Sequence, residues 1–253
     1  MSTRSLIRLG SFAVTLSVCS IASAQEISKD AALAEVKGVL ASYQAMFERD
    51  FVVKLVSPEV NKAFADKIAR QSPVPVQLQG LLMRYKDGAT KIKPKLGSIP
   101  PALRQIAEEK AMEVISASPI GKAVPQLTHK SVTDAIEFLL QQKDKMSVKK
   151  VTEENLDLEV TGLNEKAFDG LVIRTVRARV DRKKKLLSIV KFTFDQGKYL
   201  GAKLTYAPVK TPDGKTPFMH QKAIIIQDVF VNNPALPLPK KITLKYSDYR
   251  FSK

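Results

Sequence analysis

Residues 172–206 read VIRTVRARVDRKKKLLSIVKFTFDQGKYLGAKLTY, and the alternation in them decides the fold. Val172, Arg174, Val176, Ala178 and Val180 stand at every second position, followed by Val190, Phe192 and Phe194, then Leu200, Ala202, Leu204 and Tyr206. Successive side chains of a strand point to opposite faces, so this spacing predicts strands with one apolar and one polar face. Asp181-Arg182-Lys183-Lys184 and Asp195-Gln196-Gly197-Lys198 supply turn chemistry between them, and Pro212-Asp213-Gly214-Lys215 supplies it again farther on. Ile224 with Ile226, and Ile242-Leu244-Tyr246, continue the pattern to Phe251. Five antiparallel strands with one apolar face are therefore expected, and something must cover that face.

Working outward, Ser28 to Phe47 carries Leu33, Val36, Leu40, Tyr43 and Phe47 at steps of three and four. This spacing predicts an amphipathic helix, with Ser28 as its N-cap and Asp30 at the positive end of its dipole. Phe51–Val56 reads as a strand, and Pro58 opens a helix carrying Val60, Phe64 and Ile68. Val76 to Tyr85 and Thr90 to Leu96 read as a hairpin across Lys86-Asp87-Gly88. A helix is expected from Pro101 to about Lys110, then extended chain around Val114-Ile115 and a turn at Ser118 to Gly121. Ser131 to Asp134 resembles a capping box ahead of a helix carrying Ile136, Leu139 and Leu140. Lys143 to Lys150 reads as its solvated end, and Leu156, Leu158 and Val160 mark one more strand.

The first residues have the parts of a secretory leader: Arg4 and Arg8, an apolar run from Phe12 to Ile21, and Ala22-Ser23-Ala24 before Gln25. The expectation is a signal peptide over 1–24 and an exported, periplasmic chain over 25–253. Cys19 is the sole cysteine and lies within this leader, behind Val18 where a lipidation motif needs a small residue. The mature chain then has no thiol for disulfides, nucleophilic catalysis or metal binding. Basic side chains number 41 against 25 acidic ones, so loss of Arg4 and Arg8 lowers the net charge from +16 to +14. That excess suits an anionic membrane surface; nothing resembles a nucleic-acid fingerprint.

Catalytic chemistry finds little support. His129 and His220 are far apart in sequence, neither has metal-ligand spacing, and both read as surface residues. Asp157 and Glu159 share the polar face of a strand, and Glu108 and Glu109 diverge on a helix, so no carboxylate pair is set up for acid–base work. Neither metal nor cofactor is implied. Arg174 falls on the apolar face of its strand. It either reaches the sheet rim or makes a polar contact inside a lipid-filled space.

The segment Val180-Asp181-Arg182-Lys183-Lys184 to Ile189, then Phe192 to Lys198, resembles the bacterial outer-membrane lipoprotein-sorting, LolA-like group. So does the ending Leu238-Pro239-Lys240-Lys241-Ile242-Thr243-Leu244 with Tyr246 to Phe251. The match spans Leu156 to Phe251, with Ala31 to Val56 similar in outline. The resemblance implies an α+β fold: a strongly curved antiparallel sheet, an unclosed half-barrel, with helices covering its concave face. It implies one domain over 25–253, with an insertion around 58–130. It also implies a non-catalytic, monomeric carrier of a lipid or an acylated protein. The expected cavity wall is Leu156, Leu158, Val176, Val190, Phe192, Phe194, Leu200, Leu204, Ile224, Ile226, Ile242 and Leu244, faced by Leu33, Val36 and Leu40. The alternative is an envelope interaction or sensor module in which these residues form a dry core.

Overall fold

The computed structural model describes residues 27–68, 76–118, 136–167, 170–234 and 236–252. The strands form one antiparallel sheet. In chain order they are β1 Phe51–Val56, β2 Leu78–Lys86, β3 Ala89–Leu96, β4 Met146–Val151, β5 Asn155–Val160 and β6 Glu165–Lys166. β7 Val172–Asp181, β8 Leu186–Phe194, β9 Tyr199–Pro208, β10 Phe218–Gln227 and β11 Lys241–Phe251 complete them. The spatial order is β3-β2-β1-β11-β10-β9-β8-β7-β5-β4, with β6 paired to the start of β7. Among the described residues β3 and β4 end the order without meeting, so the half-barrel is unclosed.

The register explains the bend. It shifts between Ile173 and Thr175, between Arg179 and Val180, between His220 and Lys222, and between Leu78 and Gly80. An extra residue on one strand of a pair bends that strand and increases its twist. At Gly80 the backbone takes φ 146°, and an added Cβ would lie 2.6 Å from the Leu55 carbonyl oxygen. Only glycine fits there. The β2–β3 hairpin turns at Asp87 and Gly88, both with positive φ, as tight two-residue turns require.

Helix α1, Lys29–Met46, is capped by the Ser28 hydroxyl, which accepts from the Ala31 N–H at 3.1 Å. It packs on β4 and β8. Its buried stripe is Ala32, Val36, Val39, Tyr43 and Met46, rotated from the predicted one. Leu33 and Leu40 sit at the margin, partly buried against the core. Helix α2, Pro58–Ile68, buries Val60, Phe64 and Ile68 as its spacing predicts, against β2 and β11.

Two expectations are corrected. Helix α3 runs unbroken from Pro101 to Ala117, through the Val114-Ile115 pair expected to be extended. Ala107, Ala111, Val114 and Ile115 keep one helical face buried toward β3, and that packing outweighs the weak helix propensity of a β-branched pair. Lys143 to Lys150 is not a helix end. Helix α4, described over 136–141, is followed by a 3₁₀ turn at Lys143–Lys145, then edge strand β4. β4 buries Met146 and Val151 and turns Lys149 and Lys150 outward, a charged edge that resists pairing with other chains. The capping box at Ser131 to Asp134, most of the turn after Ser118, His129 and the leader lie outside the described residues.

Candidate functional site

The covered face of the sheet is not fully packed. Beside α1 and α4 lies a cavity of about 340 Å³, within the range of ligand sites. Val190 and Phe192 of β8, Ala202 and Leu204 of β9, Ala223 and Ile225 of β10, and Ile173 and Val176 of β7 form its floor. Tyr43, Phe47, Ile136, Phe138 and Leu139 cover it from the helical side. Phe51, Met83, Met219, His220, Tyr246 and Tyr249 form an aromatic end, while the exposed Glu165 lies at the other. Pairing fixes these ends. Glu165 sits beside Ile173 and Ile173 beside Phe194, whereas His220 sits beside Tyr206. Tyr199, which faces Thr193, and Tyr206 are seven positions apart on β9, roughly 23 Å of strand.

The bulges decide which residues face this space. Arg174 is the extra residue on β7, so Ile173 turns inward in its place. Arg174 is exposed and its Nη1 donates to Asn164 Oδ1 at 2.9 Å, so it makes no contact inside the cavity. Ser188 is extra on β8, which brings Leu187 into line with Val190. Gln221 is extra on β10, which turns His220 inward and corrects its reading as a surface loop residue.

Of the expected wall, the structure brings Val176, Val190, Phe192 and Leu204 to the cavity. Val36 and Leu158 instead surround a neighbouring void of only about 10 Å³. Leu156, Ile242 and Leu244 are buried in the packed core. Phe194 is buried and Leu200 partly so, beyond the lining at one end of the strands. Ile224 and Ile226 are on the opposite face, with Ile226 51% exposed. Ala223 to Ile226 is apolar at four positions running, so alternation carries no parity there, and the inward pair is Ala223 and Ile225.

Apart from Glu165, the polar side chains of the lining gather at the aromatic end. Tyr206 donates to the Leu187 carbonyl at 2.8 Å, so Tyr43 donates its proton to the Tyr206 oxygen, 2.6 Å away. Tyr249 donates to the His220 carbonyl at 2.7 Å. The His220 ring stacks on Tyr246 with centroids 5.5 Å apart and lies 4.8 Å from Tyr206. Burial pushes the His220 imidazole down to about 4 and the Tyr246 hydroxyl up to about 12, so both are neutral near pH 7. Burial also raises Tyr43, Tyr206 and Tyr249. Among the described residues no cluster of His, Cys, Asp and Glu could hold a metal ion, and no helix is long and apolar enough to cross a membrane.

The opposite face divides by charge. From β4 to β7, Glu159 pairs with Lys149 at 2.7 Å and with Arg177, and Asp157 pairs with Arg179. On this face of β9 to β11, four cations are uncompensated: no described carboxylate pairs with Lys203, Lys222, Lys241 or Lys245, whereas Lys215 in the β9–β10 loop pairs with Glu48. Lys222 stands directly opposite Lys245, and Ile226 opposite Lys241.

Neither a protein-family model nor a curated protein sequence matches the chain. Solved structures with a partial likeness to the chain include a domain from Vibrio parahaemolyticus described as outer membrane lipoprotein-sorting. It has a TM-score of 0.43 and 11% identity, covering 89% of this chain and 94% of that one. A LolA superfamily protein from Nitrosomonas europaea has a TM-score of 0.34 and 10% identity over 86% and 94% of the two chains. A DUF1329 family protein from Desulfovibrio piger has 0.36 and 10% over 87% and 92%.

Proposed function

We propose that the protein is a non-catalytic binder or carrier of a hydrophobic ligand, a lipid or the acyl chains of an acylated protein, working in the periplasm. The observation that carries this reading is the cavity of about 340 Å³ under the helices, with an almost wholly apolar lining. A packed core leaves few voids larger than a water molecule, so a space of this size lined by Val, Leu, Ile and Phe suits removable apolar matter. Each CH₂ transferred into it is worth about 0.8 kcal/mol, enough for an alkyl chain to bind without polar contacts. The uncompensated lysines from β9 to β11, around Ile224 and Ile226, suit docking on anionic head groups where such a ligand is exchanged. The rival reading, an envelope interaction module, predicts an empty protein. The test is mass spectrometry of the purified chain. A stoichiometric co-purifying lipid is expected, and its absence together with no uptake of an apolar fluorescent probe would refute the carrier.

A further inference from the structure

We propose that the aromatic end of the cavity recognises an uncharged oxygen on the ligand, an ester or amide carbonyl or a hydroxyl, through His220 and Tyr246. The proposal rests on the cavity being a ligand site. Its basis is a difference among the polar groups at that end. The hydroxyls of Tyr43, Tyr206 and Tyr249 are all satisfied by protein partners. Neither ring nitrogen of His220 nor the hydroxyl of Tyr246 has a hydrogen-bond partner among the described residues, although both residues line the cavity. Leaving such groups unpaired away from water is costly, and a ligand oxygen placed between them removes that cost.

The chemistry of the pair restricts what that oxygen can be. Neutral imidazole offers one donor and one acceptor, and the phenol offers one of each. Both can donate to a carbonyl, and both can exchange bonds with a hydroxyl. A carboxylate would need a counter-charge, and the described lining contains no Lys or Arg. An ammonium finds only Glu165, at the other end of the strands. The site therefore selects an amphiphile whose polar atom is uncharged, as in an acyl ester or a long-chain alcohol.

The test is displacement of N-phenyl-naphthylamine from the delipidated full chain by four competitors of similar length. They are tridecane, methyl dodecanoate, dodecanol and dodecanoate, and they separate hydrocarbon, carbonyl, hydroxyl and carboxylate. Methyl dodecanoate or dodecanol should bind about tenfold more tightly than tridecane, the effect of about one good hydrogen bond. Tyr246→Phe and His220→Phe should reduce that preference to twofold or less. His220→Gln, which keeps a donor and an acceptor, should restore part of it. Equal affinity of the wild type for tridecane and the ester overturns this inference and leaves the carrier standing. A Tyr246→Phe variant that loses tridecane and ester alike also overturns it, since the role is then structural. If the wild type takes up neither the naphthylamine nor any competitor, the carrier reading itself falls and this inference falls with it.

Discussion

The hydroxyl of Tyr43 on α1 lies 2.6 Å from that of Tyr206 on β9, and the Tyr206 hydroxyl donates a hydrogen bond to the Leu187 carbonyl at 2.8 Å. The covering helix is thus tied to two strands of the floor by one directional chain. The order of donation makes the two tyrosines unequal. Tyr43→Phe removes a donor and leaves Tyr206 bonded to Leu187, at a cost of about 1 kcal/mol. Tyr206→Phe strands both the Tyr43 hydroxyl and the Leu187 carbonyl, for roughly 1–3 kcal/mol. Urea unfolding of both single variants and the double variant should show this asymmetry and a non-additive double. Equal, additive losses would mean that the chain of bonds is absent.

Much of this architecture was legible in the sequence because period-2 and period-3.6 patterns report burial directly. Ser28 at its cap, Val60-Phe64-Ile68 on α2, and the apolar alternation of β5, β8 and β9 needed no tertiary information. The lining was less legible, for a specific reason. A single extra residue at Arg174, Ser188 or Gln221 reverses the parity of the positions beyond it, and no residue type announces such a bulge. Ile173, Leu187 and His220 entered the cavity by that route. Helix α3 failed differently: packing of Val114 and Ile115 overrode a local preference for extended chain.

Gly80 tests the bent sheet. Its φ of 146°, and the 2.6 Å that would separate a Cβ there from the Leu55 carbonyl oxygen, leave no room for alanine. Gly80→Ala should lose more than about 2 kcal/mol in urea unfolding. Gly201→Ala meets only contacts of 3.6 Å or more and should be far milder. Similar losses for the two would argue against the bulge at Gly80.

His220 gives a pH dependence with a defined sign. Its imidazole is held at about 4 by burial among the neutral Tyr43, Tyr206 and Tyr246, while in the unfolded chain it titrates near about 6.5. Between these values the unfolded state binds a proton that the native state does not. The stability is therefore complete above about pH 6.5 and is lost as pH falls toward 4, by up to about 3 kcal/mol. His220→Phe removes this dependence. Its stability relative to wild type should improve by that order across the same window, and parallel curves would place the histidine in water.

The charge on the outer face predicts salt-sensitive docking. Binding to vesicles containing anionic phospholipid should weaken steeply as salt rises, because exposed charges are screened within about 10 Å at 0.1 M. Lys222→Glu with Lys245→Glu should weaken binding at least tenfold, while Lys62→Glu, on α2 and already paired with Asp66, should change it little. Equal binding to neutral and anionic vesicles would remove the docking surface and leave the cavity untouched.

The cavity itself is tested by filling it. Leu204 lines the open space, whereas Leu156 is fully buried in the packed core. Enlarging a side chain in a packed site forces strain worth about 1–3 kcal/mol, and truncating one leaves a void costing about 2–5 kcal/mol. Leu156→Phe and Leu156→Ala should each show those losses. Leu204→Phe finds its extra volume already empty, so its thermal midpoint should stay within about 2 °C of wild type, a change well under 1 kcal/mol for a domain of this size. Its uptake of a fluorescent fatty-acid probe should nevertheless fall at least tenfold, because the added ring occupies ligand space. If Leu204→Phe destabilises as much as Leu156→Phe and the wild type takes up no probe, the space closes in solution and the carrier reading fails.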